Sequence, residues 1–133
     1  MPTTPGKTPP VRATAEQSAE AFTALRRILA ARAKGLKVTA DGPKGYSVNT
    51  PFSPKWKKEL FFGGVQVTKN YVSFHLFPVY MFPDLLDGIS PGLKARMQGK
   101  ACFNFRAPDE ELFRELAALA DAGLERMRAA KLF

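Results

Sequence analysis

Six side chains that can carry a proton or a hydrogen bond fall on alternate positions of two short, apolar-rich runs. In Tyr71–Leu76 they are Tyr71, Ser73 and His75, and in 100–105 they are Lys100, Cys102 and Asn104. Successive residues of a strand point to opposite faces, so each trio shares one face. Val72, Phe74 and Leu76 take the other face, as do Ala101, Phe103 and Phe105. The apolar face is fit to receive helices, and the polar one fits a shallow site for a small polar or anionic ligand. In such a site Lys100 supplies charge, His75 and Asn104 supply hydrogen bonds, and Tyr80 and Trp56 near the edges supply aromatic walls. An ordinary solvated sheet face or a dimer surface is the structural alternative.

A thiolate nucleophile needs a base within hydrogen-bond reach, and Cys102 with His75 is the pair that can meet on this face. Free cysteine is usually just a small buried hydrophobe, and no nucleophilic triad can be assembled. The expectation is therefore a non-catalytic binding module. Gly63-Gly64 is not followed by a helix start, so it lacks the setting of a phosphate-binding loop. Inside a strand, paired glycines permit a bulge or the close approach of another group.

The chain has 133 residues, 45% of them hydrophobic, enough for one small domain with a real core. No apolar run reaches the roughly 20 residues of a membrane span. The start of the chain has no signal-peptide core, which gives a cytoplasmic expectation and no membrane partner. One cysteine excludes an internal disulfide and a cysteine-clustered zinc site. One histidine leaves little for a His-based metal centre, so no cofactor is expected. The net charge of +8 lies entirely in residues 1–70, with 12 Lys/Arg against 4 Asp/Glu, while residues 71–133 hold 8 of each. A basic surface over residues 26–58 favours polyanions and makes nucleic acid a second candidate partner, although no RNA- or DNA-reading motif accompanies it.

The elements that must position these residues follow in order. Residues 1–13, rich in proline, are expected to be a disordered basic tail, leaving residues 14–133 as the domain. Thr14 and Gln17 form a capping-box pattern. Phe22, Leu25, Leu29 and Ala33 then recur at helical spacing up to a stop at Gly35. Leu36–Ala40 and Tyr46–Asn49 flank Asp41-Gly42-Pro43, which is turn chemistry. Residues 50–58 read as an exposed connector in which Trp56 plugs a core edge, with a lid over the polar face as the alternative. Leu60–Val67 and Tyr71–Leu76 are strands around a Lys69-Asn70 turn. Pro83 opens one helical turn and Ser90-Pro91 another. A strand over 100–105 precedes a helix opened by Asp109, Glu110 and Glu111, with Phe113, Leu116, Ala120, Leu124 and Met127 as its buried stripe. Its acidic residues read as cap and solvated face. The order predicts an α+β two-layer sandwich, an antiparallel sheet with N- and C-terminal helices on one face. Monomer and homodimer are both compatible with it.

The runs YVSFHLFPVYM and LLDGISPGLKARMQGKACFNF, followed by the acidic-then-helical tail, resemble the YdhG-like family of bacterial domains of unknown function. The likeness covers roughly residues 15–130, and LLDGISP–LK–RMQGK–CFNF is its most specific part. It implies a small α+β sandwich. Some relatives are frataxin-like iron chaperones, so it also implies iron delivery as an alternative. Such a site needs a ridge of carboxylates on the first helix and an adjacent strand. Here the first helix offers only Glu16 and Glu20, and the strands only Glu59.

Overall fold

The computed structural model describes residues 14–133; the tail expected over 1–13 lies outside the described residues. Helix α1 spans Ala15–Ala30. Its capping box is formed: Gln17 N–H donates to Thr14 Oγ1 at 3.0 Å, and Thr14 N–H donates to Gln17 Oε1 at 3.1 Å. The helix stops before the predicted Gly35. Tighter turns take over, Arg32 N–H bonding Leu29 O and Leu36 N–H bonding Ala33 O. Gly35, at φ +79°, ends those turns rather than the helix.

Five strands follow: β1 Lys37–Gly42, β2 Gly45–Ser53, β3 Lys58–Val67, β4 Val72–Leu76 and β5 Cys102–Phe105. They form one antiparallel sheet in sequence order. Between β4 and β5 lie α2 (Phe77–Met81), a 3-10 turn (Pro83–Leu86) and α3 (Pro91–Lys94), and α4 (Glu110–Ala129) closes the chain. The predicted α+β sandwich is the observed fold.

Inward residues of the strands, among them Val48, Phe62, Val65, Phe74 and Phe103, join the stripes of α1 and α4 in one core. Each fully buried Leu or Phe stabilises it by roughly 1.5–3 kcal/mol. Both long helices lie on the same sheet face. Leu29 of α1 stands against Gly63, where a Cβ would come within 2.9 Å of Leu29 Cδ2. Phe113 of α4 meets Phe105 of β5 edge-on at 4.8 Å. The predicted α4 stripe is buried throughout, with Leu119 and Gly123 added to it.

Two expectations are corrected by the packing. Residues 50–58 are not a connector: β2 runs through Ser53 and β3 starts at Lys58, so only the turn at 54–57 separates them. Pro51 has no N–H for the ladder. The pairing absorbs this in a bulge, with Thr50 and Pro51 together opposite Leu60. The Leu60 N–H donates instead to the buried Thr50 hydroxyl at 3.0 Å. Second, Glu115 is not simply solvated. It accepts from Ser90 N–H and Ser90 Oγ, both at 2.6 Å, and so ties the start of α3 to α4.

Candidate functional site

The outer sheet face, opposite the helices, carries most of the polar residues named from sequence. Register places Ser73 beside Asn104 and His75 beside Cys102 across β4 and β5. Ser73 Oγ donates to Asn104 Oδ1 at 2.7 Å, and Asn104 Nδ2 donates to Gln98 Oε1 at 2.6 Å. The Cys102 thiol also points at Asn104 Oδ1, at 3.4 Å. Asn104 is thereby fixed in one amide orientation by three neighbours. Gln98 was missed from sequence because its segment folds back on β5 only in three dimensions, its N–H donating to Cys102 O at 2.9 Å.

Cys102 Sγ and His75 Nε2 stand 4.0 Å apart. Burial pushes the Cys102 thiol above its ordinary range, against a lowering by its hydrogen bond with Ser73. Burial also pulls the His75 imidazole below its ordinary range. Both groups are held neutral at pH 7, since removal from water disfavours the charged form of each. A reactive cysteine needs the opposite, an electropositive setting that lowers its pKa.

Two hollows flank this network. The larger, of about 430 Å³, is lined by Lys44, Ser47, Phe61, Gly64, Gln66 and His75 among others. Gly64 makes it possible: the Phe61 ring folds over the bare glycine, leaving the neighbouring sheet surface open. The smaller, of about 170 Å³, lies at the other end, with Tyr71, Arg96, Gln98 and Asn104 in its wall. Only the first has the volume of a typical small-molecule site, roughly 300–1,000 Å³. The sequence carried a signal for its missed lining residues. Ser47 alternates with the buried Tyr46 and Val48, as Gly64 and Gln66 do with Val65.

The remaining candidates lie elsewhere. Lys100 is not on β5, which starts at Cys102; it sits exposed in the turn after Gly99, whose φ is +82°. Tyr80 is on α2, 53% exposed and stacked on Phe77 at 5.8 Å, and Phe77 in turn stands 6.4 Å from Phe61. Tyr80 thus extends the wall that Phe61 begins. Trp56 neither plugs the core nor lines either hollow. It is 50% exposed in the turn between β2 and β3, where its backbone N–H donates to Ser53 Oγ.

Pairing divides the basic excess of residues 26–58. Arg26 is held by Asp41, Arg32 by Asp121 and Lys37 by Glu59. Among the described residues, Arg27, Lys34, Lys44, Lys55, Lys57 and Lys58 form no such ion pair. Two acids of the second half are committed as well, Asp84 being held by Arg126 and Glu115 by Ser90. Among the described residues no three His, Cys, Asp or Glu side chains gather as a metal site would require, and no helix is long and apolar enough to cross a membrane.

No family model, curated protein or solved structure matches the chain.

Proposed function

We propose that the protein is a non-catalytic binding module whose site is the larger hollow on the outer sheet face. The carrying observation is the combination of a flat aromatic wall, Phe61 over Gly64, with Lys44, Ser47, Gln66 and His75 around the same space. Aromatic and apolar lining with a few placed polar groups is what binds a small molecule and orients it. The ligand class that fits is flat and partly apolar, with one anionic group for Lys44 and hydrogen-bonding edges for Ser47, Gln66 and neutral His75. The Ser73–Asn104–Gln98 chain beside it ties β4 to β5 and so steadies the strand that carries His75.

The YdhG-like resemblance belongs to this proposal, as does a cytoplasmic setting. A small α+β sandwich is what that resemblance implies, and the observed sandwich is compatible with it.

The test is an amide NMR titration with benzoate, a flat monoanion. Shifts confined to Lys44, Ser47, Gly64, Gln66 and His75, lost in Gly64→Val protein that keeps its fold, are the expected result. Shifts scattered over the surface, or none with benzoate and larger aromatic carboxylates alike, would remove the proposal. Native mass spectrometry of gently purified protein would then identify a co-purifying ligand by its mass.

A further inference from the structure

The run Pro51-Phe52-Ser53-Pro54-Lys55-Trp56-Lys57-Lys58 builds an arm that the small-molecule hollow does not use. Pairing of β3 with β4 ends at Gly63–Leu76, and pairing of β2 with β1 starts at Asn49–Lys37. Beyond those points β2 and β3 pair only with each other. The two-stranded arm so formed extends about four residues, roughly 13 Å at 3.3 Å per residue. Its geometry is fixed from within. The Thr50 hydroxyl takes the Leu60 N–H, Lys57 N–H closes on Ser53 O at 2.7 Å, and Lys57 turns the chain at φ +60°.

What the arm presents is aromatic and cationic in alternation. Phe52 is 59% exposed and pairs with Glu59, so register puts it on the outer face with Phe61. Trp56 stands at the tip, and the Phe61–Phe77–Tyr80 row runs along the arm's base. Lys55, Lys57 and Lys58 are exposed and form no ion pair among the described residues. The one acid of the arm, Glu59, is already neutralised: Lys37 bonds it at 2.5 Å and Asn49 at 3.4 Å, and these bonds hold its carboxyl below the usual range. Three uncompensated positive charges therefore surround exposed rings.

We propose that this arm, with the Phe61–Phe77–Tyr80 row at its base, binds single-stranded nucleic acid. Unpaired bases offer flat faces to Trp56, Phe52 and Tyr80, and the three lysines meet the phosphates between them. Stacking of this kind is tolerant of sequence and is worth about 1–3 kcal/mol per base. A duplex hides its base faces and would leave the rings without partners. A bilayer fits less well, because Asn49 and the Lys37–Glu59 pair lie among the rings and would have to leave water without gaining partners.

Trp56 is the only tryptophan, so its fluorescence reports on the tip directly. Titration of the full chain with oligothymidylate of about twelve nucleotides, within the site sizes of single-strand binders, should quench it. Three phosphate contacts give a slope near −2 in log K against log salt. That slope is about a twentyfold loss of affinity between about 50 and 200 mM salt. With a labelled oligonucleotide, Trp56→Ala should weaken binding at least about fivefold, the lower end of one stacked base. The Lys55→Ala/Lys57→Ala/Lys58→Ala protein should lose the salt dependence. All these side chains are exposed, so unchanged circular dichroism is expected and checks the fold. Absence of quenching, binding insensitive to salt, or equal affinity for a duplex of the same length would overturn the proposal. So would a blue shift of Trp56 on vesicles of equal parts phosphatidylcholine and phosphatidylglycerol without any response to the oligonucleotide. That last outcome would make the arm a membrane contact.

Discussion

The Phe61 ring lies against the bare backbone of Gly64, where an added Cβ would stand 3.2 Å from Phe61 Cζ. The preceding glycine is occupied from the other side: a Cβ at Gly63 would stand 2.9 Å from Leu29 Cδ2 and 3.1 Å from His75 O. The glycine pair thus admits a helix on one face of the sheet and an aromatic wall on the other.

The two substitutions to alanine should separate these roles. Gly63→Ala pushes on the backbone of β4 and on a buried leucine, and should destabilise by about 1–3 kcal/mol, as overpacking does. Gly64→Ala meets a ring that is partly exposed and free to swing. Strand glycines are themselves unfavourable by roughly 0.5–1 kcal/mol, so its net effect on stability should be within about 1 kcal/mol. Urea denaturation of both proteins checks the order, and equal losses would deny Phe61 its freedom to move.

Thr50→Val keeps the shape of a fully buried side chain but removes the acceptor for the Leu60 N–H. An unsatisfied buried donor costs about 1–3 kcal/mol. The loss should appear locally as well. Amide hydrogen exchange at Leu60 and Lys58 should quicken relative to β4, and uniform quickening would show that the arm has no stability of its own to lose.

His75 gives a pH dependence with a definite sign. Its burial lowers the folded pKa below the ordinary 6.5, so the unfolded chain takes up a proton at a pH where the folded one does not. Stability from neutral His75 is therefore present above about pH 6.5 and lost as pH falls through the folded midpoint. The fall in Tm between pH 7.5 and 5.5, a window around the ordinary histidine pKa of about 6.5, should shrink in His75→Gln. An NMR titration should place the His75 midpoint under 6.5; a midpoint above it would reverse the sign.

Cys102 should alkylate with iodoacetamide more slowly than a free thiol at pH 8, about half a unit under the ordinary thiol pKa, because burial raises its own pKa. His75→Ala should leave that slow rate unchanged. A marked further slowing on removal of the imidazole would mean that His75 draws the proton from Cys102 across their 4.0 Å separation. The non-catalytic reading would then fail.

Much of the fold was written in local pattern. Thr14 with Gln17, Ser90-Pro91 and Asp109 mark helix starts through bonds spanning three residues, and each of these caps is formed. Alternation gave the faces of β4 and β5, so Ser73, His75, Cys102 and Asn104 lie together as expected. Such features depend on neighbours within a turn or a strand, and the residue types alone determine them.

Contacts across many residues were decided elsewhere. Lys100 shares the parity of Cys102, yet the fold-back that pairs Gln98 with Cys102 puts it in a turn. Trp56 has the composition of a core residue, but the bulge at Thr50-Pro51 carries β2 and β3 past their neighbours and leaves it in water. A second bulge lets Phe62 and Gly63 both face the core and sends Phe61 and Gly64 outward together. Side-chain alternation has a period of two, so one extra residue reverses every assignment beyond it. Where that extra residue falls depends on which register buries the most apolar surface against α1 and α4, and only the assembled core sets that balance.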